Sequence, residues 1–135
     1  MTNFSSGNKV VKTVAVVAIV FGVLTVFSGG LALFGGDDAR ASVGDAVPFV
    51  LWFNFLAGFA YVVAGIGLFL RHQPAVWLSI GIAVATALVG VALSVHVLQG
   101  GLFEMRTVGA MILRTGVWVV ISIAAWRYVR LQSAD

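Results

Sequence analysis

Four stretches of this chain carry almost no charge, and their length limits what they can become. Residues 13–34, 46–70 and 73–103 contain no Asp, Glu, Lys or Arg, and residues 107–126 contain Arg114 alone. A helix needs about 20 apolar residues to cross the hydrocarbon core of a bilayer, so each stretch can span one. The runs are continuous and lack the period-2 alternation, in segments of about 10 residues, that marks a membrane β-barrel. A helix also satisfies its own backbone hydrogen bonds, which a lone strand in lipid cannot do. With 61% hydrophobic and 10% charged residues, the chain is far from the roughly half apolar, quarter charged balance of a soluble domain. The expected fold is all-α, an integral membrane four-transmembrane-helix antiparallel bundle forming a single transmembrane domain over residues 1–135.

Local signals set the expected ends of the spans. Met1 to Asn8 is polar, and Lys9 and Lys12 precede the first apolar run. Gly35-Gly36 leaves the helical basin at little cost, and Asp37 and Asp38 follow. Pro48 suits a first helical position, where its missing N–H is not needed. Arg71-His72-Gln73-Pro74 is a short turn, which makes its flanking helices an antiparallel hairpin, and Gly100-Gly101 breaks the third run. The expected spans are therefore 10–34, 48–70, 75–99 and 105–126. A cleaved signal peptide ending at Ala39-Arg40-Ala41 is the competing reading of the first run. Its 22 uncharged residues exceed the 7–15 of an ordinary signal-peptide core.

Charge asymmetry predicts orientation. Lys9, Lys12, Arg71, Arg127 and Arg130 fall on one side of the expected bundle, and only Arg40 and Arg106 flank the other. The positive-inside rule makes the first side cytoplasmic and puts both termini there. Asp37, Asp38, Asp45 and Glu104 then lie outside, and the Asn3-Phe4-Ser5 glycosylation sequon falls on the wrong side for use. Trp52, Trp77, Trp126 and Tyr128 sit near span ends, where an amphipathic ring suits the headgroup level. The reading is a multi-pass protein of the cell membrane, of the bacterial inner-membrane type. The net charge of +3 is spread along helix ends instead of being grouped, so it points to topology and not to a nucleic-acid partner. The chain has no cysteine, which removes disulfides, thiolate metal sites and thiol chemistry.

Small residues recur at helical spacing in three runs. Ala18, Gly22, Thr25 and Gly29 share one face, as do Asn54, Gly58, Tyr61 and Gly65, and Ala83, Ala87, Gly90 and Ser94. Such faces can line a cavity or a dimer interface. Close packing within one bundle is the simpler expectation, because lipid offers no hydrophobic drive and small residues let backbones approach.

Arg114 is the most informative residue. It lies nine residues after Met105, about 13 Å along a helix and so near mid-membrane. A charge there costs about 2.5–3.5 kcal/mol on insertion scales, so it should face the bundle interior or water and have a partner. Its stem is expected to lean toward the helix N-terminus, bringing it level with Asn54 and His96. Glu104 would close this cluster from above, Gln99 and Thr107 would support it, and Tyr61 belongs to the same interior face as Asn54. The sharp reading is an outward-facing polar pocket for an anion, a proton relay or a quinone headgroup. The plain reading is a hydrogen-bond network that fixes helix register.

The two histidines, His72 and His96, fall at opposite ends of the expected bundle, so one protomer cannot use both on one haem or metal. No two carboxylates are placed for acid and base work inside the spans, and no Ser-His-Asp spacing or glycine-rich phosphate loop is present, which points away from an enzyme. The expected function is a small non-enzymatic membrane component, an accessory subunit or a small binding or transport unit with a pocket around Arg114. Its partners would be membrane lipid and a larger membrane complex or further copies of itself. The alternative is a redox protein that binds quinone or haem through His96 and Arg114. The residues themselves name no cofactor.

Overall fold

The computed structural model describes residues 2–38, 41, 44 and 47–131, with side chains from Asn8 to Val129. Among them are four long helices and no strand: α1 (Thr2–Phe34), α2 (Pro48–Phe69), α3 (Gln73–Leu98) and α4 (Met105–Ala125), the last continuing as a π-helical segment, Trp126–Leu131. All four are long and apolar enough to cross a membrane, over Asn8–Phe34, Pro48–Phe69, Gln73–Leu98 and Met105–Val129. The chain is a multi-pass membrane protein built as an all-α four-helix bundle.

Two of the helix ends are closed in the same way. After α3, Gly100 takes φ +83°, and the Gly100 and Gly101 N–H groups return to the carbonyls of Val97 and His96 at 3.0 and 2.9 Å. These paired bonds form a Schellman cap, in which glycine tolerates the left-handed conformation. After α2 the same bonds run from Arg71 to Leu68 and from His72 to Gly67, at 2.9 and 2.8 Å. Here the left-handed position is filled by Arg71, at φ 58°. Its side chain gives a reason for a non-glycine residue, since Arg71 Nη2 donates to the Tyr128 carbonyl beside α4. Gln73 Nε2 donates to the next carbonyl, of Val129, at 3.1 Å. The α2–α3 turn therefore binds the end of the last helix. Trp77 and Trp126 meet edge to face beside it at 5.6 Å.

Consecutive helices pack antiparallel, and α1 lies closest to α2. A side-chain carbon at Gly22 would stand 2.7 Å from Val62 and 2.8 Å from the Gly58 carbonyl. One at Gly65 would meet Ile19 at 2.6 Å and the Ala15 carbonyl at 2.9 Å. The small faces of α1 and α2 are thus the surfaces on which these helices touch. The third small face behaves differently. Ala83 is buried, but Ala87 and Ser94 are exposed and a side chain at Gly90 would meet nothing within 4 Å. Instead of packing, this stripe lines an apolar groove of about 640 Å³ between α3 and α4, with Met111 and Ile112 opposite.

The main core runs from Val11, Ala15 and Ala18 through Tyr61 and Leu68 to Trp118, Ile121 and Val129. A smaller core of Val47, Val50, Leu93 and Met111 closes the end holding the α3–α4 loop, called the loop end below. Lys9, Lys12, Arg71 and Arg127 share the opposite end, where α1 begins and α4 ends. The buried hydroxyls of Ser79 and Thr86 donate to carbonyls one turn back, of Ala75 at 2.8 Å and Ile82 at 2.7 Å, so they carry no unmet polarity. Of the neighbouring helix pairs, α1 and α4 meet least. That loose seam lies beside the site described next.

Candidate functional site

Arg114 points into the bundle, partly buried. Its Nη1 donates to Thr25 Oγ1 on α1 at 3.1 Å and to the Tyr61 hydroxyl on α2 at 3.5 Å. Its guanidinium carbon lies 5.1 Å from the centre of the Phe21 ring, one turn before Thr25. Tyr61 is fully buried and Thr25 is 2% exposed. The Tyr61 ring is held between Phe21, at 5.6 Å, and the fully buried Trp118, at 4.9 Å. One cation of α4 thus touches two other helices, α1 and α2, within an aromatic setting of Phe21, Tyr61 and Trp118.

Depth explains the partners. Thr25 lies nine residues before Phe34, and Arg114 lies nine after Met105, so both backbones sit about 13 Å from the loop end. Tyr61 starts deeper, thirteen residues after Pro48, and tyrosine in a helix leans toward the N-terminus, which here brings its hydroxyl to the level of Arg114. The guanidinium is held at mid-membrane depth by these acceptors and does not run up to the level of His96.

The residues expected to gather around Arg114 lie in different places. Tyr61 is a direct partner. Asn54 stands two turns nearer the loop end on the same face of α2, half-buried, and its buried Oδ1 has no hydrogen-bond partner among the described residues. His96 is at the loop end: its Nε2 sits 2.9 Å from the Leu102 carbonyl, its ring lies against Gly101 and it meets Phe49 edge to face at 6.2 Å. It fastens the α3–α4 loop. Gln99 caps α3, its N–H returning to the Val95 carbonyl at 3.0 Å. Glu104 precedes α4, its carbonyl accepting the Thr107 N–H at 3.0 Å, and its carboxylate lies against Gly44. Ten residues of helix, about 15 Å, separate Glu104 from Arg114.

Sequence reasoning missed Thr25, Phe21 and Trp118. The signal for Thr25 was available as equal depth on two helices, but it was read as one more small residue of a packing face. Trp118 and Ser122 follow Arg114 at four-residue steps, so the three share one face of α4. Among the described residues Arg114 Nε, Trp118 Nε1 and Ser122 Oγ are buried without hydrogen-bond partners. A polar seam therefore runs down the inner face of α4.

No family model, curated protein or solved structure matches this chain. What the site can do has to be read from its own chemistry.

That chemistry is cationic, and the partners it has among the described residues are neutral. The four helices contain no Asp or Glu, so the partners of Arg114 within them are neutral. A bond from a charged donor contributes about 1.5–3 kcal/mol, and a desolvated cation–π contact about 2 kcal/mol. Together these roughly offset the insertion cost of about 2.5–3.5 kcal/mol. The group is held in place by neutral acceptors and an aromatic face. Beside it, α1 and α4 leave a cleft of about 400 Å³ lined entirely by apolar residues, among them Val17, Val20, Phe21, Leu24, Leu113 and Val117. Phe21 belongs both to this wall and to the setting of the guanidinium. Among the described residues, no three of His, Cys, Asp or Glu come together to hold a metal ion.

Proposed function

We propose that this chain is a non-enzymatic component of the cell membrane, an accessory or small binding unit, and that the group it binds is an anion met by Arg114. The observation carrying this reading is a mid-membrane guanidinium held, among the described residues, by neutral partners, in spans without a carboxylate. A charged residue inside a membrane marks a functional site by default, with its partner to be named. The partner's charge is fixed by electrostatics, since only an anion gains from the field of Arg114. The positive-inside bias supports cytoplasmic termini, which would place the site nearer the outer half of the bilayer.

The test is native mass spectrometry of wild type and Arg114→Met, each taken from native membrane in mild detergent, with thermal unfolding followed in parallel. Wild type should retain an anionic species, small or macromolecular, that Arg114→Met loses while unfolding at a similar temperature. Identical bound species in the two proteins would overturn the reading.

A further inference from the structure

An apolar seam separates α1 from α4, and two cations stand just beyond its basic end. From this juxtaposition we infer that the seam holds one acyl chain of an anionic phospholipid, in the leaflet at the basic end, with the lipid phosphate between Lys9 and Arg127. The site is separate from Arg114, which does not line the seam.

The seam has the depth of one leaflet. Two clefts of about 400 and 580 Å³ share Val17, Leu113 and Val117, so together they run along α1 from Val14 to Leu24. Ten residues of helix cover about 15 Å, half of a hydrocarbon core about 30 Å thick. An acyl chain entering from the basic end therefore finishes where the seam does. Every wall residue is apolar or glycine, and a side chain at Gly116 would meet nothing within 4 Å, which leaves width for the chain.

The headgroup site follows from what stands beyond the seam. Lys9 lies five residues before Val14 and Arg127 six after Ile121, so on antiparallel helices both are about 8–9 Å past its end. Lys9 precedes Val16 and Val20 by seven and eleven residues, and Arg127 follows Val120 and Gly116 by the same steps. These steps are close to two and three turns, and they put each cation in line with the wall on its own helix. Arg127 is only the second residue of the π-helical segment, so this register is nearly kept. The two helices come together at that level, since α1 touches the π-helical segment and Val11 and Val129 share one core. Both cations are exposed. Arg71 brings a third charge, bound to the carbonyl of Tyr128, whose ring centre lies 5.5 Å from the Arg127 guanidinium. Among the described residues, the carboxylates of Asp37, Asp38 and Glu104 all belong to the loop end, so none of them competes here. The phosphate of a lipid lies outside the hydrocarbon core, and ammonium and guanidinium groups bind it through charge-assisted hydrogen bonds. A charged rim above a purely apolar wall matches a ligand whose anion is tied to a hydrocarbon chain.

The full chain is reconstituted in vesicles of equal phosphatidylglycerol and phosphatidylcholine, and the lipid it keeps on release into mild detergent is read by native mass spectrometry. Wild type should keep one phosphatidylglycerol in preference to phosphatidylcholine. The double variant Lys9→Gln, Arg127→Gln should weaken that retention at least about tenfold, the scale expected for two cations at a membrane surface. Gly116→Phe and, separately, Val20→Phe fill the seam and leave both charges in place, and each should lose the preference as well; circular dichroism confirms that every variant is helical. Diffuse attraction to the basic end would instead lower the preference in the charge variant and spare it in both seam variants, and that result overturns the inference. Equal retention of the two lipids by wild type also overturns it. So does displacement of the lipid by inorganic phosphate, which would mark a free-phosphate site, or a dimer that either seam variant disperses, which would make a second copy the occupant.

Discussion

Arg114 ties α1, α2 and α4 together through one nitrogen, and its two bonds are not equivalent. The 3.1 Å bond to Thr25 is within the ordinary range for N–H···O, and the 3.5 Å contact with Tyr61 is at its limit. Thr25→Val, which keeps the shape and removes the acceptor, should therefore destabilise the bundle by about 1–3 kcal/mol. Tyr61→Phe should cost less. In an Arg114→Met background both costs should shrink toward zero, since the acceptors then have no charged donor to serve; a double-mutant cycle read by thermal unfolding in detergent measures this. Arg114→Met alone should unfold within about 1 kcal/mol of wild type or be more stable, because replacing a buried ionic group with a well-packed apolar one is often neutral or favourable. A loss of several kcal/mol would instead make the guanidinium chiefly a structural tie.

At the scale of elements, the chain's own punctuation made the fold legible. Three charge-free runs and a fourth broken only by Arg114 marked four helices, Gly35-Gly36 and Gly100-Gly101 marked two ends, and Pro48 marked a beginning. Each of these acts locally, through backbone chemistry that needs no tertiary context. The site was less legible because it depends on which helix faces which. Arg114 was matched to Asn54, His96 and Glu104 on the expectation that a long side chain leans toward the nearer interface. Thr25 and Tyr61 instead offer acceptors at its own depth. The small-residue stripe on α3 was misjudged for the same reason, since a helical pattern shows that a face is small without showing what lies opposite. Substitution separates the two kinds of face. Gly58→Val should destabilise the bundle by more than about 2 kcal/mol through overpacking, because a side chain there meets Val26 at 2.7 Å and the Gly22 carbonyl at 3.1 Å. Gly90→Ala, with open space around it, should be neutral or gain up to about 1 kcal/mol from helix propensity. The Arg71 cap gives a further contrast. Arg71→Ala loses the bond to Tyr128 and keeps the left-handed strain, whereas Arg71→Gly loses the bond and relieves the strain. The glycine variant should therefore unfold above the alanine variant, by about 1 kcal/mol.

The whole molecule has a polarity that the sidedness of its site depends on. Lys9, Lys12, Arg71 and Arg127 share the end where α1 begins, the α2–α3 turn lies and α4 finishes, and Arg71 and Gln73 bind carbonyls of the last helix there. The loop end has Asp37, Asp38 and Glu104, with Arg106 the one basic residue among those described. Translocating the basic end would carry four cations across the bilayer, whereas translocating the loop end carries mainly acids, and from the positive-inside rule we propose that the termini are cytoplasmic. The absence of native cysteine makes this directly measurable. His72, in the α2–α3 turn, and Leu102, in the α3–α4 loop, are both exposed, so a single cysteine at either position should leave the core untouched. In intact cells a membrane-impermeant maleimide should label Leu102→Cys and spare His72→Cys until the membrane is opened. The reverse pattern would invert the bundle. Arg114 would then lie nearer the cytoplasmic half of the bilayer.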